Sequence, residues 1–369
     1  MDTIDNSSHA ADLHKQAIVI DSHSDILMSL ADGVTRFGDW LQLPDPATWS
    51  PPPRASAFEA FSPPTSSFGA NRHTEYFGSA GLYSLPQLIA GGVTVQVCAI
   101  YLEDKHLDRA LQRALEMTWW LHREAEDNPR FEIVRTVEDI RRIKKQGNAG
   151  GVLSFEGLEP LGNEIRFMDL FYQLDLRIAS LTHNRRNDYA DGPQGDVKTG
   201  GLTHLGRAAV RRLNELGIVI DLAHTNAAAF WEILELSQQP VIHSHLSPFS
   251  FSLMRGETPS YKDFQSADSR SRLKALADKG GVAGCIFFGQ ENLDEVIARI
   301  EELAGIMGVR HVGLGSDFYG LQFAPRGLES IDKVPQITEQ LLHRGWSEQD
   351  ILGILGGNFL RVFEQVWKK

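Results

Sequence analysis

Residues 19–27 read VIDSHSDIL. An apolar run suited to a buried strand ends in His23 and Asp25. In extended backbone, side chains at i and i+2 leave the same face, so an imidazole and a carboxylate are aimed at one point just beyond the strand. A metal ion uses that geometry. A lone H-x-D is more often a pair of strand-end side chains bonded to loop backbone, so the chemistry depends on partners elsewhere. Such partners stand where other apolar runs stop: Glu156 in LSFEG, His183 in LTHN, His224 in IDLAH, His243 and His245 in VIHSH, and Asp317 in GLGSDF. Five of the thirteen histidines fall at strand ends, where random placement would scatter them among helices and loops. Imidazole and carboxylate donors without thiolate favour zinc, or a similar divalent transition metal, over calcium or magnesium. The set is too large for one tetrahedral ion that keeps an open position. A two-ion site bridged by Glu156 accounts for it.

Elements must bring these residues together. Apolar, β-branched runs occupy 17–21, 92–100, 151–155, 177–181, 217–222, 240–244, 281–288 and 312–316. Near-continuous apolar runs of this length suit strands buried on both faces. Between them, apolar residues recur at three- to four-residue spacing over about 105–126, 136–146, 202–216, 226–237, 268–279, 291–306 and 332–344. The segment 202–216 opens at a threonine and closes at Gly217, as a capped helix does. Strands alternating with helices predict an α/β fold, a (β/α)8 TIM barrel, with its active site at the C-terminal ends of the strands. The alternative, an open doubly wound sheet, lacks a G-x-G-x-x-G opening a helix after the first strand. Residues 43–70 hold seven of the sixteen prolines and little periodicity. As the excursion after the first strand, they are expected over the barrel mouth. With no internal repeat and no linker, residues 1–369 are expected to form one catalytic domain.

The composition, 42% apolar and 23% charged, is that of an ordinary globular protein. A net charge of -12 argues against a nucleic-acid or anionic-membrane partner and leaves small molecules or proteins. The opening MDTIDNSSHAADLHKQ has neither a basic n-region nor an apolar h-region, and no later stretch has the length of a membrane span. A cytoplasmic protein is expected. Cys98 and Cys285 lie in separate apolar runs without C-x-x-C spacing, which predicts buried free thiols.

The ordered motifs VIDSHSDIL, LSFEG, LTHNRRNDYADG, GIVIDLAH, VIHSHLSP and VGLGSDFYG, with a terminal GGNFLRVFEQV, make the chain resemble the membrane (renal-type) dipeptidase family of the amidohydrolase superfamily from about residue 16 to the end. The resemblance implies a barrel of the metal-dependent hydrolase type and two Zn2+ ions: His23 and Asp25 on one, His224 and His245 on the other, Glu156 and a water or hydroxide bridging. It further implies that His183 contacts the scissile carbonyl, that Asp317 shuttles the proton, and that the substrate is a small dipeptide, with a D-residue tolerated at its C-terminal side. A homodimer is also in keeping with the family. His243 has no counterpart ligand in the pattern and is expected to support its strand.

The chain departs from the family around the substrate's expected position. Family dipeptidases hold the substrate carboxylate with an arginine after the sixth barrel strand. Arg255 stands at about that distance from His245, but Gly256 follows it and the segment is long. Arg270 and Arg272 are alternatives, each expected on a helix surface. GLEPLG replaces the usual G-G-H after the glutamate, Tyr319 stands where a second aspartate is common, and SHSD replaces G-H-N-D. Two other functions therefore stand beside the dipeptidase: a binuclear hydrolase of another small amide, lactam or ester, and a non-catalytic metal-binding protein.

Overall fold

The computed structural model describes residues 6–39, 82–193, 200–246, 264, 266–321 and 324–368. The proline-rich stretch 43–70 and Arg255 lie outside them. Among the described residues there are nine parallel strands: β1 (Val19–Asp21), β2 (Val93–Tyr101), β3 (Phe131–Ile133), β4 (Ala149–Glu156), β5 (Leu176–Ser180), β6 (Val219–Asp221), β7 (Ile242–Leu246), β8 (Val282–Cys285) and β9 (Val312–Leu314). They run in the order β2-β1-β9-β8-β7-β6-β5-β4-β3, and a further β2–β4 pairing closes the ring. Eight strands thus form the expected TIM barrel. The ninth, β3, pairs only with the start of β4, below the point where β5 takes over that edge. Its sequence FEIV alternates instead of running continuously apolar, which is why a search for doubly buried strands passes over it.

Each expected strand is found, with ends shifted by no more than three residues. One shift matters. His243 and His245 lie inside β7, where the register slips between His243 and Leu246. The expected helices are present as well. Thr203 and Thr136 cap two of them through their side chains, and Gly217 and Gly147 end the same two in left-handed conformation. The segment expected over 105–126 is a short 3-10 turn followed by a helix from Ala110 to Asp127.

The barrel interior is layered. Ile20, Val95, Val152, Ile178, Val219, Ile242 and Val282 form one apolar cluster with Phe359, Val362 and Phe363 of the helix Asn358–Val366. That helix closes the N-terminal end of the barrel: Arg361 donates to the carbonyls of Gly280 and Arg310, just ahead of β8 and β9. Further along the strands, the inward positions carry Ser22, Ser154, Gly284 and Gly315. Ser22, Gly284 and Gly315 are small because the bulged β7 pushes the Ser244 carbonyl across the barrel. Ser22 Oγ donates to it at 2.5 Å, and a Cβ at Gly284 or Gly315 would come within 2.0 or 1.9 Å of it. The next layer up is the rim, with Tyr101, Glu156, Ser180 and Asp221 in register across β2, β4, β5 and β6.

Gly315→Ala should destabilise the protein by about 1–3 kcal/mol, because a backbone carbonyl cannot swing aside as a side chain tip can. Gly305, inside a helix with nothing within 4 Å of its virtual Cβ, is the control. Its alanine variant should be neutral or slightly stabilising. Urea unfolding midpoints measure both, and an unchanged midpoint for Gly315→Ala would remove the steric argument.

Candidate metal centre

The ring closure brings seven of the sequence-selected residues together around Glu156. Its Oε1 lies 2.9 Å from His224 Nε2, 3.6 Å from His23 Nε2, 3.6 Å from His245 Nε2 and 4.0 Å from His183 Nε2. His23 Nε2 is also 3.8 Å from Asp25 Oδ1 and 3.7 Å from Asp317 Oδ1. The ligand atoms group as His23, Glu156 and His245; as Glu156, His183 and His224; and as His23, Asp25 and Asp317. The third group keeps the expected His23–Asp25 pair together, and His224 and His245 fall in different groups although their Nε2 atoms are 2.8 Å apart. The His23 and His245 rings are 3.9 Å apart, and His183 shares a group with Glu156 and His224.

Backbone strain gathers at the same place. Four non-glycine residues among those described have positive φ, and three of them, His224 (57°), Asp317 (63°) and Tyr319 (66°), belong to the site or its immediate wall. Asp317 is further pinned to the loop after β1, its N–H donating to the His23 carbonyl while the Asp25 N–H donates to the Phe318 carbonyl. Gly320 is required beside them. A Cβ there would lie 2.3 Å from Asp25 Oδ2 and 2.4 Å from Asp317 Oδ1.

Two aspartates that the sequence analysis passed over hold the segments that carry the candidate ligands. Asp21, at the end of β1, accepts from Ser316 N at 2.7 Å and from Ser316 Oγ at 2.5 Å, tying β1 to the residue before Asp317. Asp221, at the end of β6, accepts from Ala223 N at 3.0 Å and from Ser244 N at 2.9 Å, tying β6 to the residue before His245. The signal for them was present: V-I-D occurs twice, each time with a histidine ligand candidate two or three residues later. Asn184 and Ser244 complete the support. Asn184 Oδ1 accepts from His224 Nδ1 at 3.0 Å, and Ser244 Oγ lies 2.8 Å from His245 Nδ1, which leaves both Nε2 atoms as lone-pair donors toward Glu156.

Electrostatics ask for a cation. Burial pushes Glu156 up to about 8, with Asp221 and Glu159 adding to the shift, and raises Asp25 and Asp317 well above the usual carboxylate range. Burial likewise drives His23 down to about 3 and His224 to about 4. His224 Nε2 and His245 Nε2 face one another at 2.8 Å, while His23 Nε2 and Asp25 Oδ1 are buried without a hydrogen-bond partner. Neutral imidazoles and crowded carboxylates aimed at a common volume fit divalent ions.

The remaining expectations divide. His243 is buried, its ring 6.5 Å from that of His245, and it belongs to none of the three triads among the described residues. Arg272 is not on a helix surface as expected; it is buried, paired with Asp268 and placed over the Phe230 ring. Arg270, on the same helix, is exposed. Cys98 and Cys285 are buried free thiols. Among the described residues, no helix is long and apolar enough to cross a membrane.

A parallel eight-strand barrel with clustered imidazoles and carboxylates at the C-terminal strand ends defines a class of metal-dependent TIM-barrel proteins. Within that class the chain belongs to the membrane dipeptidase family, Peptidase family M19, which it matches over residues 7–368. It is 29% identical over 314 residues to Dipeptidase aclJ of Aspergillus oryzae, covering 80% of this chain and 71% of that protein. It is 31% identical over 244 residues to Dipeptidase verJ of Clonostachys rogersoniana, covering 64% of this chain and 60% of that one. A metallopeptidase from Rhodobacter sphaeroides, solved with a phosphinate mimic of the dipeptide L-Ala-D-Ala, shares the fold with a TM-score of 0.71 to 0.73 in company with its neighbours, its own value being 0.72 at 22% identity over 95% of this chain and 100% of that one.

Two measurements follow from this geometry. Asn184→Ala should weaken zinc binding about 10- to 100-fold by freeing the His224 ring, as read by equilibrium dialysis; unaltered affinity would deny Asn184 that role. As pH rises beyond 7 the imidazoles become neutral in the unfolded chain as they already are in the folded one, so the window up to about 8 reports the buried carboxyls Glu156, Asp25 and Asp317, which hold their protons more tightly folded than unfolded. Metal-free protein should therefore lose thermal stability as pH rises through that window, and saturating zinc should abolish the slope. A flat metal-free profile would contradict the raised carboxyls.

Proposed function

We propose that the protein is a zinc-dependent dipeptidase holding two ions, with Glu156 between them and His23, Asp25, His224 and His245 as the other ligands. The observation that carries the reading is the convergence of four imidazole nitrogens on Glu156 Oε1, within 2.9–4.0 Å, beside two further carboxylates. When bound, two divalent ions supply an activated water near neutral pH and polarise a carbonyl.

The chain's own groups supply the rest. Asp317, on a strained loop with its carboxylate 3.7 Å from His23 Nε2, takes the proton that water gives up as it adds to the carbonyl carbon. It returns that proton to the amine nitrogen as the C–N bond breaks. His183 Nε2, 4.0 Å from Glu156 Oε1, holds the carbonyl oxygen as charge develops on it. Arg255 is the proposed anchor for the substrate's C-terminal carboxylate. The L-Ala-D-Ala mimic bound by the Rhodobacter sphaeroides relative supports a C-terminal D-residue as an acceptable substrate here.

A second reading, hydrolysis of another small amide, lactam or ester, has its own observation. Two family departures meet on one residue: Ser24 Oγ lies 2.7 Å from Tyr83 Oη, and Tyr319 Oη donates to the Tyr83 carbonyl at 2.7 Å. The wall beside Asp25 and Asp317 is thus built from groups the usual pattern lacks. Zinc-loaded protein assayed on free dipeptides of both C-terminal chiralities, on their amides and on N-acetyl amino acids separates the two. Cleavage of free dipeptides but not their amides is the expected result, and metal-loaded silence on dipeptides overturns it. Asp317→Asn should retain metal by elemental analysis while losing about 10²- to 10⁴-fold in kcat; near-normal turnover would exclude Asp317 as the shuttle.

A further inference from the structure

Three consecutive residues after β5 divide three tasks. His183 faces Glu156, Asn184 holds the His224 ring, and Arg185 reaches the neighbouring loops. Nη1 and Nη2 of Arg185 each donate to the Leu102 carbonyl at 3.3 Å, Nη2 pairs with Asp104, and Nη1 lies 3.6 Å from Glu159 Oε1. Leu102 and Asp104 follow β2, and Glu159 follows β4. Since β2, β4 and β5 are successive neighbours in the ring, one side chain joins three strand ends.

The partners are built for this contact. Glu159 Oε1 is buried and has no hydrogen-bond partner, and the guanidinium 3.6 Å away favours the ionised carboxylate, with Asn187 and a backbone N–H as its other supports. Glu159 can lie where it does only because residue 157 is glycine: φ is +101°, and a Cβ would come 2.1 Å from Glu159 Oε2. Leu102 directly follows Tyr101, whose ring packs 4.5 Å from that of His183. GLEPLG, one of the family departures, thus contributes an acid that meets Arg185.

We propose that Arg185 is a positioning residue of the hydrolytic site, whose guanidinium fork locks the loops after β2, β4 and β5 and so fixes Tyr101 and His183 in the pose that meets substrate. The proposal rests on the dipeptidase reading for its kinetic test. A planar fork with five donors serves a carbonyl and two carboxylates at once, which a lysine ammonium on a flexible stem does not. With Asp104 and Glu159 already against it, Arg185 is a clamp and not a free anchor for substrate.

Arg185→Ala, Arg185→Lys and Glu159→Gln in the full chain test it. Arg185→Ala is expected to lower kcat about 10- to 100-fold, with KM changed less than about threefold and bound zinc at the wild-type level. Lysine should not restore the rate, and Glu159→Gln should show a smaller loss in the same direction. Independently of turnover, the His183 Cε1–H resonance of the zinc-loaded variants should shift while those of His224 and His245 stay in place. An unchanged kcat together with an unshifted His183 signal overturns the proposal, and so does a rise in KM alone, which would make Arg185 a substrate-binding cation. If the alanine variant does not fold, wild-type kcat in Arg185→Lys is the overturning result. A wild type that cleaves no dipeptide counts against the dipeptidase reading only, and the His183 signal still decides for or against the clamp.

Discussion

Four imidazoles and three carboxylates occupy one buried volume, with the ligand atoms of each group within 4.8 Å of one another. Atoms of one polarity do not collect in a protein interior unless the surrounding structure forces them to and something of opposite charge rewards it. Glu156 is the focus of the crowding, and its proton affinity is raised by burial first and by Asp221 and Glu159 next. Metal ligation reverses that penalty, so the same arrangement that strains the metal-free protein is the one a divalent ion stabilises.

The barrel is arranged to sustain this crowding. An apolar floor, plugged by the helix Asn358–Val366, gives way to a layer of serines and glycines and then to the ligand rim. The small middle layer admits the Ser244 carbonyl, and with it the β7 bulge that re-aims His245. Asp21 and Asp221 perform equivalent work on different strands of the ring, Asp21 tying the end of β1 to the residue before Asp317 and Asp221 tying the end of β6 to the residue before His245. The left-handed residues His224 and Asp317 are tolerated because these ties over-determine their backbone.

Much of this was legible in advance, for local reasons. Near-continuous apolar runs identify strands covered on both faces, and a residue at the end of such a run must lie on the catalytic rim of a barrel. His23, Asp25, Glu156, His183, His224, His245 and Asp317 could therefore be selected without coordinates. The supports were less visible. Asp21 and Asp221 read as ordinary strand termini, although the repeated V-I-D was a cue, and Asn184 and Arg185 gain meaning only from residues on other strand-end loops. Arg272 illustrates the opposite error, since a helical arginine reads as a surface cation until Phe230 is seen beneath it.

By itself the sequence determined the alternation of elements, the family, and which side chains stand at the strand ends, because periodicities of two and 3.6 residues and strand-end placement are properties of a short stretch of chain. Only the tertiary structure decided how those side chains divide among triads, that β7 bulges, that β3 lies outside the ring, and that Arg185 joins three loops. Those outcomes depend on register between strands far apart in sequence and on closure of the ring, where each strand's position is set by its two neighbours and not by its own residues.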